Sequence, residues 1–277
     1  MALRIATNIP SVTAQRSLNK NQRMSNQAMA QVSTGSRITK AADDAAGLSI
    51  SENLKSNIRS YKQAGRNAHD GISLVQVAEG ALGEVSNIIT RFRELSVQAA
   101  SDTIGDQERG FIQKEVEQMK SEVERIAQST QFGDKKLLNG EGDEFDFQVG
   151  IHEDAELNAI TFDAAETDAT LSTLGISGLD ISSKGGAQSA LELIDEAQTK
   201  VNGYRANLGA LQNRLTVTTE NIDNSVENLS AANSRMRDAD VAAATADLTK
   251  SNILLNATTS MLSQANQNPQ LALRLLG

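Results

Sequence analysis

A heptad repeat of apolar residues constrains the fold of this chain more than any other sequence feature. Between residues 47 and 99, apolar side chains recur at alternating steps of four and three, and the phase slips by one after Ala78. Such spacing places the side chains on one stripe of an α-helix. The stripe consists of Leu54, Ile58, Tyr61, Ala68, Ile72, Val75, Leu82, Val85, Ile89, Phe92 and Leu95. A helix of about fifty residues is about 75 Å long, so we expect it to lie in an elongated bundle or in an assembly.

The composition of the 277-residue chain favours long helices. Its only prolines, Pro10 and Pro269, lie near the two ends, so no obligatory helix breaker occurs between them. Six phenylalanines, two tyrosines and no tryptophan are too few for a large core built on aromatic rings. The absence of cysteine excludes a disulfide framework, a thiolate zinc site and a cysteine nucleophile.

The net charge of −9 is unevenly distributed. Residues 1–42 carry six basic groups and no acidic one, whereas residues 141–170 carry ten acidic groups and neither Lys nor Arg. A basic arm suits nucleic acid, but this arm has no aromatic residue for stacking and is interleaved with apolar side chains. We therefore expect an amphipathic helix that binds a protein partner, and no nucleic-acid binding.

The first ten residues lack the apolar core of a signal peptide, and no run of residues is apolar enough to span a membrane. We therefore expect no membrane insertion. The protein either stays in the cytoplasm or leaves it by a route that cleaves no signal peptide.

Helical periodicity covers most of the chain. We predict helices over residues 3–32, 47–99, 106–131, 190–236 and 241–262. Asp43 or Asp44 is expected to cap the long helix, and Asp106 to cap the next one, which folds back antiparallel.

Residues 138–182 break the helical pattern. Apolar and polar residues alternate in FDFQV at 145–149, and LNAITF at 157–162 is rich in strand formers, so we predict a short hairpin and loops whose acidic side chains contact water. The predicted fold class is mainly α: an elongated bundle of long antiparallel coiled-coil helices with a small β-hairpin and loop region in the middle of the chain.

No combination of residues predicts catalysis or a cofactor site. His152 and Glu153 resemble half of an H-E-x-x-H zinc motif, but Glu156 occupies the second ligand position and the segment lacks helical periodicity. His69 stands alone on the long helix, and no glycine-rich segment has the Lys-Ser or Lys-Thr of a phosphate loop. We interpret 152–156 as an acidic surface loop and expect no enzyme, cofactor or metal.

Several separate motifs resemble the signatures of bacterial flagellins. At the amino-terminal side these are STGSRITKAADDAAGLSISENL at 33–54, RFRELSVQ at 91–98 and QSTQF at 128–132. At the other end they are ALQNRL at 210–215 and SQANQNP at 263–269. The motifs occur in the family's order, and the resemblance covers roughly 1–138 and 190–277.

The resemblance implies a structural subunit of the flagellar filament, located outside the cell. Residues 1–42 and 241–277 would form paired coiled helices at the inner filament core, residues 43–137 and 183–240 a surrounding bundle, and residues 138–182 the outward face. The short middle implies that large outer domains are missing. The implied partners are other copies of the chain, the flagellar type III export apparatus, an export chaperone, the filament cap and hook-junction proteins.

The two ends also suggest assembly by their composition. The closing residues LALRLLG are apolar around one arginine, and such a tail is not expected to stay in water. We predict that polymerisation uses apolar residues of both ends: Ile5, Ile9, Val12, Leu18, Met24, Leu248, Ile253, Leu254, Met261, Leu262, Leu271 and Leu275.

The resemblance further implies recognition by the innate Toll-like receptor for flagellin. Arg91, Leu95, Glu115 and Gln118 match the positions through which sensed flagellins are recognised, although Met119 stands where an arginine is common. The alternative is that Arg91 and Glu115 serve contacts between subunits, with Leu95 in the core stripe.

Two other functions fit part of the pattern. A hook–filament junction protein shares the terminal architecture but usually departs further from the signatures. A coiled-coil signalling or scaffold protein has heptads but no need of paired apolar ends.

Overall fold

The computed structural model describes residues 7–142 and 144–274, and the side chains of all of these except 155 and 268–274. The helices are α1 (Ile9–Thr34), α2 (Ala45–Ala99), α3 (Asp106–Ser129), α4 (Ala155–Asn158), α5 (Leu171–Leu174), α6 (Lys184–Arg237) and α7 (Val241–Arg274). The strands are β1 (Gln131–Phe132), β2 (Lys135–Lys136), β3 (Glu144–Gln148) and β4 (Ala159–Asp163). The predicted class, mainly α with long antiparallel helices and a small β region, is confirmed.

The chain divides into two compact units. Unit 1 comprises Met1–Ile58 and Asn228–Gly277, and unit 2 comprises Arg59–Glu227. The division falls inside α2 and inside α6, and each unit is described separately below.

The heptad stripe of α2 lines the core of unit 2. Ala68, Val75, Leu82, Val85, Ile89, Phe92 and Leu95 are all buried. Leu74 is buried beside Val75, whereas the predicted core residues Tyr61 and Ile72 are only half-buried. The buried face is therefore wider than a single seam, because α2 packs against both α3 and α6 within this unit.

Polar contacts at the edges of the buried face join α3 and α6 to α2 in unit 2, and both helices run antiparallel to α2. Glu115 of α3 accepts from Arg91 of α2 at 3.0 Å. Against α6, the Ser86 hydroxyl of α2 accepts from Gln198 at 2.8 Å. The antiparallel return of α3 is thus as predicted.

The predicted caps are partly right. The carboxylate of Asp44 accepts from the Gly47 amide at 2.8 Å and so caps α2. Asp43 instead accepts from the side chain and backbone of Thr39 and the backbone of Lys40, and the Thr39 hydroxyl is the main cause of its lowered pKa.

The prediction that Asp106 caps α3 is wrong. Gly105 occupies that position, with no side-chain hydrogen bond, and Asp106 is the first helical residue. Its carboxylate accepts from Arg109 at 2.7 Å instead. Arg109 is held in place by the carbonyls of Ala99 and Ser101, at 2.8 and 3.0 Å. It therefore draws the Asp106 side chain away from the free amides of α3.

Strands β3 and β4 form the predicted hairpin, with Phe145 opposite Phe162. Their rings lie 6.0 Å apart. Ile160 and Phe162 belong to the core of unit 2, while Glu144 and Asp146 on the other face are exposed. Gly71 of α2 admits the hairpin, because a Cβ atom there would lie 3.1 Å from the Phe147 ring.

One prediction for the middle region is wrong. Leu157 and Asn158 are predicted in a strand but lie in α4, where the Asn158 amide donates to the Asp154 carbonyl at 2.9 Å. The apolar residues of the following segment are buried: Leu174, Ile176, Leu179 and Ile181. Side chains of α3 hold this segment, as where Gln113 accepts from the Ile181 amide at 2.9 Å.

In unit 1, α1 and α7 pack antiparallel. Asn8 donates to the Ala265 carbonyl at 2.8 Å, and Ser25 donates to Asn252 at 3.2 Å. Helix α1 begins at Ile9, because Asn8 caps it and Pro10 occupies its first turn, while the predicted start at residue 3 lies outside the described residues. Helix α7 extends to Arg274, beyond the predicted end at 262.

The connectors before α2 and after α6 are joined within unit 1. Ser36 and Asp238 form an isolated β-bridge. The Arg37 amide donates to the Arg237 carbonyl at 2.6 Å, and the Ala239 amide donates to the Gly35 carbonyl at 2.9 Å. Within the described part of the chain, no helix is both long and apolar enough to cross a membrane.

Candidate assembly surface

The contact between α1 and α7 is built from small and polar side chains. Its buried members are Ser11, Ser25, Ala28, Ala244, Ser251, Thr258 and Ala265. Small side chains let two helices approach closely, but they bury little apolar area. The contact therefore leaves the larger apolar residues of both helices elsewhere.

Those larger residues are exposed to solvent. On α1, Ile9 has 59% of its surface exposed, and Val12 and Met24 are also exposed. On α7, Ile253 and Met261 are 63% and 67% exposed. Several large apolar side chains exposed on two paired helices suit an interaction surface. We call the exposed apolar side chains of α1 and α7 the assembly surface.

The structure describes the side chains of nine of the twelve predicted polymerisation residues. Leu254 is exposed, and Leu18, Leu248 and Leu262 are half-buried. Ile5 and Leu275 lie outside the described residues, as does the side chain of Leu271.

Sequence reasoning missed Met29 and Val241, which are also exposed on α1 and α7. Met29 belongs to the apolar pattern of the first helix, so the signal for its inclusion was present. Val241 is the first residue of α7, so no earlier helical turn indicates which face of the helix it occupies.

Three cations share the outward side of α1 with Ile9 and Val12. Arg16, Lys20 and Arg23 follow Val12 at steps of four, four and three, which keeps all of them on one helix face. All three are exposed. The outward face of α1 is therefore apolar at its start and basic along its middle.

The predicted receptor residues lie in unit 2. Arg91 donates to Glu94 at 2.8 Å and to Glu115 at 3.0 Å, and these two carboxylates, Glu94 first, raise the pKa of Arg91. Arg91, Glu115 and Gln118 are exposed, so the first two adjoin on the surface as predicted.

Leu95, the fourth residue of that set, does not lie on the surface. It has 2% of its surface exposed and belongs to the hydrophobic core of unit 2. Arg91 and Leu95 are one helical turn apart, but α2 faces the core at 95 and solvent at 91. Leu95 therefore lies in the core stripe, as the alternative interpretation of the sequence proposed.

Among the described residues, no group of three His, Asp or Glu side chains could hold a metal ion. His69 and His152 are both exposed. The main functional feature of the described residues is the uncovered apolar surface of α1 and α7. These features define a helical subunit built to associate with other chains.

Two family models match most of this subunit. The bacterial flagellin N-terminal helical region matches residues 5–143, and the bacterial flagellin C-terminal helical region matches residues 191–276. The chain therefore belongs to the bacterial flagellin family. Members of this family are structural proteins of the filament and not enzymes.

Individual relatives agree with this assignment. A flagellin of Halalkalibacterium halodurans is 44% identical over 269 residues, which are 97% of this chain and 98% of the relative. The crystal structure of Bacillus cereus flagellin has a TM-score of 0.51 and 29% identity, covering 61% of this chain and 94% of that one.

A putative flagellar hook-associated protein from Vibrio parahaemolyticus has a TM-score of 0.59 but only 14% identity. Its structure covers 71% of this chain and 100% of that one. That similarity concerns the fold alone. Sequence identity, rather than fold, separates this chain from the junction-protein alternative.

Proposed function

We propose that this flagellin polymerises into the flagellar filament through the assembly surface of α1 and α7. The observation that carries the proposal is the placement of Ile9, Ile253 and Met261 on the outside of the helix pair. Other copies of the chain would cover these side chains and so remove them from water. Residues 43–137 and 183–240 would surround this core, and 138–182 would face outward.

Replacing Ile253 with Asn tests the polymerisation contact. The variant should polymerise only at a higher monomer concentration, because an amide gains nothing from transfer out of water. Leu157→Asn is the matched control, since Leu157 is 82% exposed but lies in the hairpin region of unit 2. Sedimentation and negative-stain microscopy measure polymer, and circular dichroism checks the monomer. Equal effects of the two substitutions would contradict the proposal.

We also propose that the chain reaches the filament through the flagellar type III export channel, without signal cleavage. The family assignment supports this route, and the contact between α1 and α7, built from small and polar side chains that bury little apolar area, suits a chain that must unfold to be exported. An export chaperone, the filament cap and hook-junction proteins would be its further partners. Mass spectrometry of filaments should find an amino terminus at Met1 or, after removal of the initiator methionine, at Ala2; loss of a longer amino-terminal segment would contradict the route.

A second proposed function is recognition of the monomer by the innate receptor for flagellin. The exposed pair Arg91 and Glu115 supports it, and the burial of Leu95 removes that residue from the contact. Arg91→Ala should lower the potency of the monomer in receptor-reporter cells. Arg93→Ala is the control, because Arg93 is also exposed on α2 but pairs with Asp195 of α6 at 2.8 Å. Equal potency of all three proteins would exclude this function.

A further inference from the structure

The chain contains two Asn-Gly pairs, Asn139-Gly140 and Asn202-Gly203. In such a pair the glycine nitrogen can attack the side-chain carbonyl carbon of the asparagine, because glycine has no Cβ to obstruct the approach. The sequence alone gives both pairs the same chemistry. The structure places them in opposite backbone environments.

Asn139-Gly140 lies in the connection between β2 and β3, outside any helix or strand. Gly140 has a φ of +72°, a left-handed conformation. The Asn139 side-chain oxygen accepts from the Glu141 amide at 3.3 Å, which folds the carboxamide back over the Gly140 peptide. Within the described residues, the Gly140 amide donates no hydrogen bond. Both the attacking nitrogen and the side chain it must reach are therefore available.

Asn202-Gly203 lies inside α6. The Gly203 amide there belongs to the i to i−4 hydrogen-bond ladder, which must break before its nitrogen can react. The Asn202 side-chain oxygen accepts from Gln198 at 3.1 Å, so the carboxamide points to the preceding turn and away from Gly203. Helical backbone thus blocks the attack at this pair.

We propose that Asn139 is a site of spontaneous deamidation in the folded protein and that Asn202 is protected. The Gly140 nitrogen loses its proton to solvent and forms a bond to Cγ of Asn139. The bond from Cγ to Nδ2 then breaks, and ammonia leaves. Water adds to one of the two carbonyls of the resulting cyclic imide, which gives aspartate or isoaspartate. No oxidant, enzyme or cofactor is needed.

The modification falls at an anchored point of the chain. Leu138 is buried, and its carbonyl accepts from the Ala169 amide at 3.0 Å. Isoaspartate adds one methylene to the main chain directly after this anchor, ahead of β3. Either product also adds a negative charge next to Glu141. Aged protein should therefore differ from fresh protein at the entrance to the hairpin.

The test compares the two pairs within one molecule. Full-length protein is incubated in mildly alkaline water labelled with oxygen-18, in its native state and in concentrated urea. Mass spectrometry of proteolytic peptides reads the label at Asn139 and at Asn202. In urea both residues should convert at similar rates. In the native state Asn139 should still convert, and Asn202 should be about tenfold slower or more, because reaction there requires local unfolding.

Asn139→Gln serves as the matched variant, since the longer side chain disfavours ring closure at this half-buried loop position. It should lose the label at 139 and leave Asn202 unchanged. Native protein in which Asn139 is protected as strongly as Asn202 would overturn the proposal, as would equal native conversion at both sites. The measurement uses monomer, so its outcome is independent of filament formation.

Discussion

At the residue scale, Arg109 shows how one buried side chain fixes a turn between helices. It has 6% of its surface exposed and donates to two carbonyls at the end of α2 and to one carboxylate at the start of α3. The Ala99 carbonyl is one of the unsatisfied carbonyls that a helix leaves at its carboxyl end, and Ser101 lies just beyond it. A single guanidinium thus joins α2 to α3 in unit 2.

Arg109→Lys should lower the free energy of unfolding by about 1–3 kcal/mol, because one ammonium cannot satisfy all three acceptors and leaves a buried carbonyl unpaired. Arg125→Lys is the control. Arg125 is exposed and, within the described part of the chain, pairs only with Glu122 on its own helix, so its replacement should change stability by less than about 0.5 kcal/mol. Denaturant unfolding monitored by circular dichroism distinguishes the two. Equal losses of unfolding free energy in the two variants would mean that the Arg109 contacts do not stabilise the fold.

At the element scale, α2 was the most predictable part of the molecule. A periodic stripe is a local property, and Asp44 caps the helix only three residues from the amide it binds. The helical position of Leu157 and the burial of the segment from Leu174 to Ile181 depend instead on which helix faces lie nearby. Arg109 was not predicted either, since its acceptors become neighbours only after α3 folds back.

The element-scale prediction concerns the width of the α2 stripe. Leu74→Asp should lower the melting temperature strongly, because it buries a carboxylate beside fully enclosed neighbours. Ile72→Asp should lower it less, since Ile72 is half-buried and its carboxylate can reach water. Thermal melting of both variants tests the order. A larger decrease in melting temperature for Ile72→Asp than for Leu74→Asp would support the narrower stripe predicted from the heptads.

At the scale of the whole molecule, the prediction of separate roles for the ends and the middle remains to be tested. A fragment of residues 43–240 lacks α1 and α7 but retains all of unit 2. It should be a soluble helical monomer that fails to polymerise under conditions where the full chain does. Light scattering and microscopy provide the measurement, and filaments from the fragment would show that the ends are dispensable.

The loop between β3 and β4 has a practical consequence for display of foreign peptides. His152, Glu153 and Asp154 are exposed there, on a hairpin joined to its unit by Ile160 and Phe162. A tag fused to either terminal helix would compete with the surface we assign to polymerisation. A peptide inserted at 152–154 would avoid it. The hairpin is thus the place to attach an epitope that must be presented once per subunit along a polymer.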